Sequence, residues 1–200
     1  MKSSGAKSRL SSILPSEERQ ELESLLLSGV LGALREAGLL PATHVISSDP
    51  LILRLATKSG AGTVREARDK GVNAAVETGV SALGRPLQVL VLPCDLPLLR
   101  ASQLRHIMSL SKLMQVVISP STSFNGTNAL VFSPNMGLPL SYDNDSFWNH
   151  VSASGQRGLS VAVVSKPGLA FDLDSPEDLR KLAHVRANTP AVAFARRAMI

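Results

Sequence analysis

The sequence has few of the features that would mark a secreted, membrane-spanning or disulfide-stabilised protein. Its 200 residues include a single cysteine, Cys94, which excludes an internal disulfide and suits a reducing compartment. No segment approaches the roughly 18 consecutive apolar residues that mark a transmembrane helix. The start of the chain lacks the apolar core of a signal peptide. We therefore expect a cytoplasmic protein that does not span a membrane.

Several common catalytic and nucleotide-binding motifs are also absent. There is no Gly-x-Ser-x-Gly turn, so a Ser-His-Asp hydrolase is not supported. Neither the Gly-x-Gly-x-x-Gly fingerprint of dinucleotide-binding folds nor a Walker phosphate loop occurs. The four histidines are scattered and show no metal-binding spacing: His44, His106, His150 and His184. Any metal site must therefore be built mainly from oxygen ligands.

Composition and charge favour a globular protein with an anionic partner. Hydrophobic residues make up 44% of the chain and charged residues 18%, which is ordinary for a folded domain. The formal net charge is +5, so a nucleic acid and the phosphates of a nucleotide are both candidates. The basic residues are dispersed, and one tryptophan and one tyrosine offer little surface for stacking on bases. We therefore favour a nucleotide over a nucleic acid.

Predicted strands alternate with predicted helices along the whole chain. This alternation predicts an α/β fold of three layers, in which helices cover both faces of a mostly parallel sheet. A chain of 200 residues is long enough for one domain with a sizeable core. We assign residues 1–184 to this domain and residues 185–200 to a basic C-terminal helix that begins at Thr189-Pro190 and packs on the domain or on a partner subunit.

Asp95 follows the most strand-like segment of the sequence. Val89 to Leu92 form a continuous apolar run, as expected of a strand buried on both faces of a parallel sheet. Pro93 ends this strand because it has no N–H group to donate. Asp95 then lies just past its carboxyl end, where open α/β sheets bind ligands. It is a candidate for metal or substrate binding, or else a turn former or helix cap.

A second pair of acidic residues lies near the end of the chain. Asp172 and Asp174 are two residues apart on an extended segment, so their carboxylates point to one face with α-carbons roughly 7 Å apart. Ser175 is available to cap the following helix, so neither aspartate is needed there. If this pair lies beside Asp95, the three carboxylates require cations between them. Oxygen ligands without histidine or cysteine indicate magnesium.

Two further segments have either a functional or a purely structural interpretation. Lys7 and Arg9 lie among small residues and could neutralise phosphates, or they could belong to a frayed basic terminus. Asn73 could cap the helix that begins after Gly71, or contact the ribose or base of a nucleotide.

Four short motifs occur in an order and spacing that resemble one family. They are Ala6-Lys7-Ser8-Arg9-Leu10, Leu92-Pro93-Cys94-Asp95-Leu96-Pro97, Gly126-Thr127-Asn128-Ala129-Leu130 and Asp172-Leu173-Asp174-Ser175-Pro176-Glu177-Asp178-Leu179. Each motif alone is weak, but together they resemble the 2-phospho-L-lactate guanylyltransferase family, which makes an early intermediate of the deazaflavin coenzyme F-420. The resemblance spans about residues 6–182.

The resemblance implies a fold of the nucleotide-diphospho-sugar transferase type (GT-A, MobA-like). It implies transfer of GMP from GTP to 2-phospho-L-lactate, phosphoenolpyruvate or 3-phosphoglycerate, with release of pyrophosphate. It also implies two magnesium ions and is compatible with a homodimer. By motif position, it assigns Lys7, Arg9 and Asp95 to catalysis, Lys7 and Arg9 to the nucleotide, Thr127, Asn128 and Ser146 to the acid, and Asp95, Asp172 and Asp174 to the metal. We add Asn73 to the nucleotide site from its place at the amino end of a predicted helix.

The sequence departs from the family pattern at two places. Family members begin with a short apolar strand before the Lys-Ser-Arg motif, and we expect that strand to be missing here from the centre of the sheet. Asp143 occupies a position that is usually glycine, where its carboxylate would face the acid or else turn outward. The alternatives are a nucleotidyltransferase with another acceptor, such as the molybdenum-cofactor pterin, and a non-catalytic relative that binds nucleotides or nucleic acid.

Overall fold

Helices and strands alternate along most of the chain, as predicted. The computed structural model describes residues 9–84 and 86–199. The helices are α1 Ser16–Glu36, α2 Pro50–Lys58, α3 Val72–Ala82, α4 Ala101–Leu110, α5 Ser146–Gln156, α6 Pro167–Ala170, α7 Pro176–His184 and α8 Pro190–Ala198. The strands are β1 His44–Ser47, β2 Gly62–Arg65, β3 Val89–Val91, β4 Val116–Pro120, β5 Thr127–Phe132 and β6 Val161–Val163.

The strands form two sheets with both parallel and antiparallel pairs. Strands β1 and β2 form a parallel pair, and the second sheet has the order β3-β5-β4-β6. Strand β4 is parallel to β6, whereas β5 is antiparallel to both β3 and β4. Residues 121–126 join β4 to β5, and so short a connection can only return the chain in the opposite direction. The prediction of parallel pairing therefore holds for β1–β2 and β4–β6 but not for β5.

Strand β3 differs from its prediction in pairing and in burial. It is antiparallel to β5, with Leu90 opposite Val131, and its three residues are only half-buried. The Leu90 side chain nevertheless packs against the core cluster that contains Val45 of β1, so the two sheets share part of one apolar core. The predicted absence of a strand before the Lys-Ser-Arg motif concerns residues outside the described range.

The long helix α1 provides much of that core. Its buried leucines and valine, Leu22, Leu26, Val30 and Leu34, recur every four residues and therefore line one face. Each fully buried leucine contributes about 1.5–3 kcal/mol through the hydrophobic effect. Gly38 follows the helix with φ 77°, and the N–H of the next residue, Leu39, donates to Leu34 O at 2.9 Å, which ends α1 as predicted.

Side-chain caps begin three other helices, and two of them, at α7 and α8, confirm predictions. The Asp49 side chain accepts from Leu51 N at the start of α2, and the Ser175 hydroxyl accepts from Asp178 N at the start of α7. Thr189 accepts from Val192 N and so caps α8, whose apolar residues Val192 and Phe194 pack into one core cluster with residues of α1 and α7. The C-terminal helix thus packs on the rest of the domain.

Candidate functional site

The candidate site is built around two consecutive residues at the start of β5. Thr127 and Asn128 are both buried, with 7% and 4% of their surfaces exposed. Successive side chains of a strand point to opposite faces. Thr127 therefore contacts a group of hydroxyls on one side, while Asn128 contacts an acidic segment on the other.

The hydroxyls of Thr127 and Ser146, here called the hydroxyl cluster, lie at the amino end of α5. The Ser146 hydroxyl donates to Thr127 Oγ1 at 3.2 Å, and both side chains are buried. Asp145 precedes the helix with φ 55° and makes no capping hydrogen bond with its side chain. The first N–H groups of a helix have no intrahelical partner and carry a partial positive charge. The Phe147 N–H donates to Asn125 O at 3.3 Å, so the remaining N–H groups of this turn and the Thr127 hydroxyl are the donors that an anion could use.

His150 joins this group to the loop that precedes α5. Its Nδ1 lies 3.0 Å from Thr127 Oγ1, and its Nε2 accepts from Ser141 N at 3.1 Å. The ring is completely buried, and burial lowers the pKa of His150 to about 4. His150 is therefore neutral near pH 7.

Asn73 connects the same loop to α3. Its side-chain oxygen accepts from Tyr142 N at 2.9 Å, and its amide nitrogen donates to Asp143 Oδ2 at 3.2 Å. Gly71, with φ 92°, is the N-cap of α3, so the prediction that Asn73 caps this helix is wrong. Asn73 lies inside the helix instead, and its amide positions the loop. The exposed Asp143 is directed at Asn73 and does not cap α5.

On the other side of β5, Asn128 holds the acidic segment. Its amide nitrogen donates to Leu169 O and Ala170 O, each at 3.0 Å, and to Asp172 Oδ1 at 3.2 Å. Thr122 also donates its N–H to Ala170 O at 2.8 Å. The β4–β5 hairpin therefore fixes the position of Asp172.

Backbone pairing brings the three predicted metal ligands into one region. Leu173 lies between Asp172 and Asp174, and its N–H donates to the carbonyl oxygen of Asp95 at 3.0 Å. The pKa of Asp172 is raised, first by burial and also by the charge of Asp174, while the hydrogen bond from Asn128 lowers it. A cation at this point would relieve both the burial and the repulsion.

These aspartates fit a cation that is bound partly by substrate. Within residues 9–84 and 86–199, no three histidine, cysteine, aspartate or glutamate side chains form a ready-made metal cluster. Magnesium is usually held by one or two carboxylates together with waters and substrate phosphates, rather than by a complete protein cage. The half-buried Asp172 and Asp174 suit that mode of binding.

The remaining predicted site residues lie at the amino end of the described chain. Lys7 is outside the described residues. Arg9 is exposed and directly precedes Leu10, which is completely buried in the core. Across the residues that the structure describes, no helix is both long and apolar enough to cross a membrane.

Sequence reasoning missed the role of His150. The signal available was its position four residues after Ser146, which places both polar side chains on one face of α5. That pattern does not show that Ser141 and Thr127 supply partners for both ring nitrogens, because neither is close to His150 along the chain.

Comparisons with known proteins identify the family of this chain. The family described as "Guanylyl transferase CofC like" matches residues 1–199. Phosphoenolpyruvate guanylyltransferase of Rubrobacter xylanophilus is 39% identical over 186 residues, which cover 89% of this chain and 87% of the relative. The 2-phospho-L-lactate guanylyltransferase of Methanocaldococcus infernus is 32% identical, covering 88% and 78%. The 3-phospho-D-glycerate guanylyltransferase of Phenylobacterium zucineum is 33% identical, covering 90% and 84%.

A solved structure supports the fold independently of close sequence similarity. A protein from Desulfovibrio desulfuricans, described as a nucleotide-diphospho-sugar transferase, superimposes with a TM-score of 0.77 at 14% identity, covering 97% of this chain and 89% of that protein. The predicted fold of the nucleotide-diphospho-sugar transferase type is therefore confirmed. The family match spans nearly the whole chain, so this protein belongs to the CofC-like guanylyl transferase family.

Proposed function

We propose that this protein transfers GMP from GTP to a three-carbon acid that carries a phosphate, releasing pyrophosphate, as a step of coenzyme F-420 biosynthesis. Family membership supports a GTP-dependent nucleotidyltransferase, and the three relatives above are named for transfer to phosphoenolpyruvate, 2-phospho-L-lactate and 3-phospho-D-glycerate. The observation that carries the proposal is the pairing at β5, where Thr127 belongs to a hydroxyl cluster and Asn128 holds an aspartate.

The acid binds at the amino end of α5 in this proposal. All three candidate acids carry a phosphate and a carboxylate, which are oxygen-rich anions. Thr127 supplies a hydroxyl donor, and Ser146, whose own hydroxyl donates to Thr127 Oγ1, holds that donor in place at the first turn of α5. The first turn also supplies N–H groups and the positive end of the helix dipole. Asn128 supports the acid indirectly, because its amide is occupied by Leu169, Ala170 and Asp172.

The nucleotide binds on the acidic side of β5. Asp95, Asp172 and Asp174 would hold magnesium there together with phosphate oxygens, and Lys7 and Arg9 would contact the triphosphate. When bound, magnesium neutralises charge that develops on the phosphates. Asn73, predicted to contact the nucleotide, has protein partners at both ends of its amide in the loop before α5, so in this proposal it supports the acid side of β5 by positioning that loop.

The reaction requires no covalent intermediate on the protein. A phosphate oxygen of the acid forms a bond to the α-phosphorus of GTP, and the bond from that phosphorus to the bridging oxygen of pyrophosphate breaks in line. The attacking phosphate is already ionised near pH 7, so a general base is unnecessary. The hydroxyl cluster orients the attacking acid, and the aspartate side orients the triphosphate. We place this reaction in the cytoplasm, with a homodimer compatible with the family.

A matrix of pyrophosphate-release assays tests the function. GTP, CTP and ATP are each combined with the three acids, with glycerol 3-phosphate, which lacks the carboxylate, and with no acceptor. We expect release only with GTP, magnesium and an acid that has both groups, and loss of release when EDTA removes the metal. Equal turnover with CTP, or release without any acid, would refute the proposal.

A further inference from the structure

His150 contacts the proposed acid site through both of its ring nitrogens. It lies on α5, one turn after Ser146, and none of its surface is exposed. Ser141 N lies 3.1 Å from Nε2, and Thr127 Oγ1 lies 3.0 Å from Nδ1. The ring therefore bridges the loop before α5 and the first residue of β5.

The partner of Nε2 determines where the ring carries its proton. A backbone N–H can only donate, so Nε2 must accept from Ser141 and has no proton. A neutral imidazole then carries its single proton on Nδ1. Because burial keeps the pKa of His150 far below 7, the neutral form is the relevant one. Nδ1–H consequently donates to Thr127 Oγ1.

This tautomer in turn determines the direction of the Thr127 hydroxyl. Thr127 Oγ1 accepts from Ser146 Oγ at 3.2 Å as well as from His150, so both of its lone pairs are occupied. Its own proton must point elsewhere, and neither of its hydrogen bonds to His150 and Ser146 uses that proton. Thr127 keeps 7% of its surface exposed, so the protein does not enclose it completely.

We propose that His150 is a positioning residue that aims the Thr127 hydroxyl proton at an anionic oxygen of the acid substrate. This inference depends on the proposed function, in which Thr127 and Ser146 bind the acid. His150 touches no substrate itself. It acts through Thr127, and Ser141 fixes its tautomer. The same ring therefore positions both the loop before α5 and the Thr127 hydroxyl.

Two substitutions separate the roles of the two nitrogens. In His150→Asn, the amide nitrogen takes the place of Nδ1–H and still donates to Thr127. In His150→Gln, the terminal amide lies near Nε2, where its oxygen accepts from Ser141 but leaves Thr127 without its donor. We expect His150→Gln to raise the KM for the acid about tenfold, the effect of one charge-assisted hydrogen bond. His150→Asn should raise it much less, and the KM for GTP should stay within about twofold of wild type in both.

Two controls make the result specific. His106→Gln, on the exposed surface of α4, makes the same chemical change away from the site and should leave both constants unchanged. Thr127→Val removes the hydroxyl while keeping the shape, and it should raise the KM for the acid on its own. In Thr127→Val/His150→Gln, the second substitution should add nothing, because His150 acts only through Thr127.

The outcomes distinguish this inference from the function on which it depends. If Thr127→Val leaves the KM for the acid unchanged, the proposed acid site is wrong and this inference fails with it. If Thr127→Val raises that KM but His150→Gln does not, or if the two effects are additive, only the role of His150 is wrong.

A measurement on the unaltered protein covers the case in which His150→Gln does not fold. Long-range ¹H–¹⁵N NMR spectra report which ring nitrogen is protonated. We expect His150 to show a protonated Nδ1 and a bare Nε2 at neutral pH. The opposite tautomer would overturn the inference.

Discussion

His150 makes the stability of this protein depend on pH in a predictable direction. Burial lowers its pKa from the usual 6.5 to about 4, so between these values the unfolded chain binds a proton that the folded protein does not. We therefore expect its contribution to be complete above about pH 6.5 and to decline as the pH falls toward about 4. The loss in unfolding free energy is roughly 3 kcal/mol.

Urea unfolding of wild type and His150→Asn over this pH range measures the effect. The quantity to compare is the difference in unfolding free energy between the two proteins at each pH. The raised pKa of Asp172 changes stability with pH in the opposite direction to His150, but it does so equally in both proteins. The stability difference should shrink as the pH falls, since only the wild type loses the contribution. Parallel curves from pH 7 to about 4.5 would mean that His150 is not buried in its neutral form.

The residues whose roles could be predicted are those with local signals. Ser175, which directly precedes Pro176, caps α7 as predicted, whereas the metal-binding role of Asp172 and Asp174 stays a prediction from their spacing. Asn73 was predicted to cap α3 or to contact a nucleotide, but its partners in the loop at residues 142–143 are about 70 positions away in the sequence and could not be predicted. Hydrogen bonds between distant segments depend on tertiary packing, which leaves no local pattern.

At the scale of elements, the short helix α6 connects the acidic segment to the core. Gly168 lies where an added Cβ would overlap the carbonyl oxygen of Leu98 and the side-chain amide of Gln103. The backbone of Leu98 cannot move as a flexible side chain can, so Gly168→Ala must displace α6. We expect a loss of about 1–3 kcal/mol in unfolding free energy. Turnover should fall as well, because the carbonyls of α6 share Asn128 with Asp172.

Gly155→Ala is the matched control for this prediction. Gly155 lies in α5, and a Cβ there would have no atom within 4 Å. The substitution should be neutral or stabilise the protein by up to about 1 kcal/mol, since alanine favours helix more than glycine does. Thermal melting and pyrophosphate release of both variants provide the comparison. Equal melting temperatures for the two would show that α6 has room to adjust.

The type and order of most elements could be predicted, whereas strand direction could not. Helix caps such as Asp49-Pro50 and Thr189-Pro190 are local chemistry, and the structure confirms them. Strand β5 is apolar like its neighbour β4, because a buried strand of either direction is apolar. Its reversed direction follows from the short β4–β5 connection, whose length becomes clear only once both strands have defined ends.

At the scale of the whole molecule, the site unites residues from four separate parts of the chain. Asp95 follows β3, Thr127 begins β5, Ser146 begins α5 and Asp172 precedes α7. Each motif is weak in isolation, and the fold gives them a common location around one strand. A net charge of +5 suits a protein that must bind two polyanionic substrates together.

The product of the reaction tests the central claim most directly. ³¹P NMR of the protein with GTP, magnesium and each acid follows every phosphorus atom in the mixture. We expect two new coupled signals from a diphosphate that joins GMP to the acid, formed in equal amount to pyrophosphate. Appearance of GMP and pyrophosphate without that diphosphate, or of GDP and free phosphate, would contradict transfer of GMP to the acid.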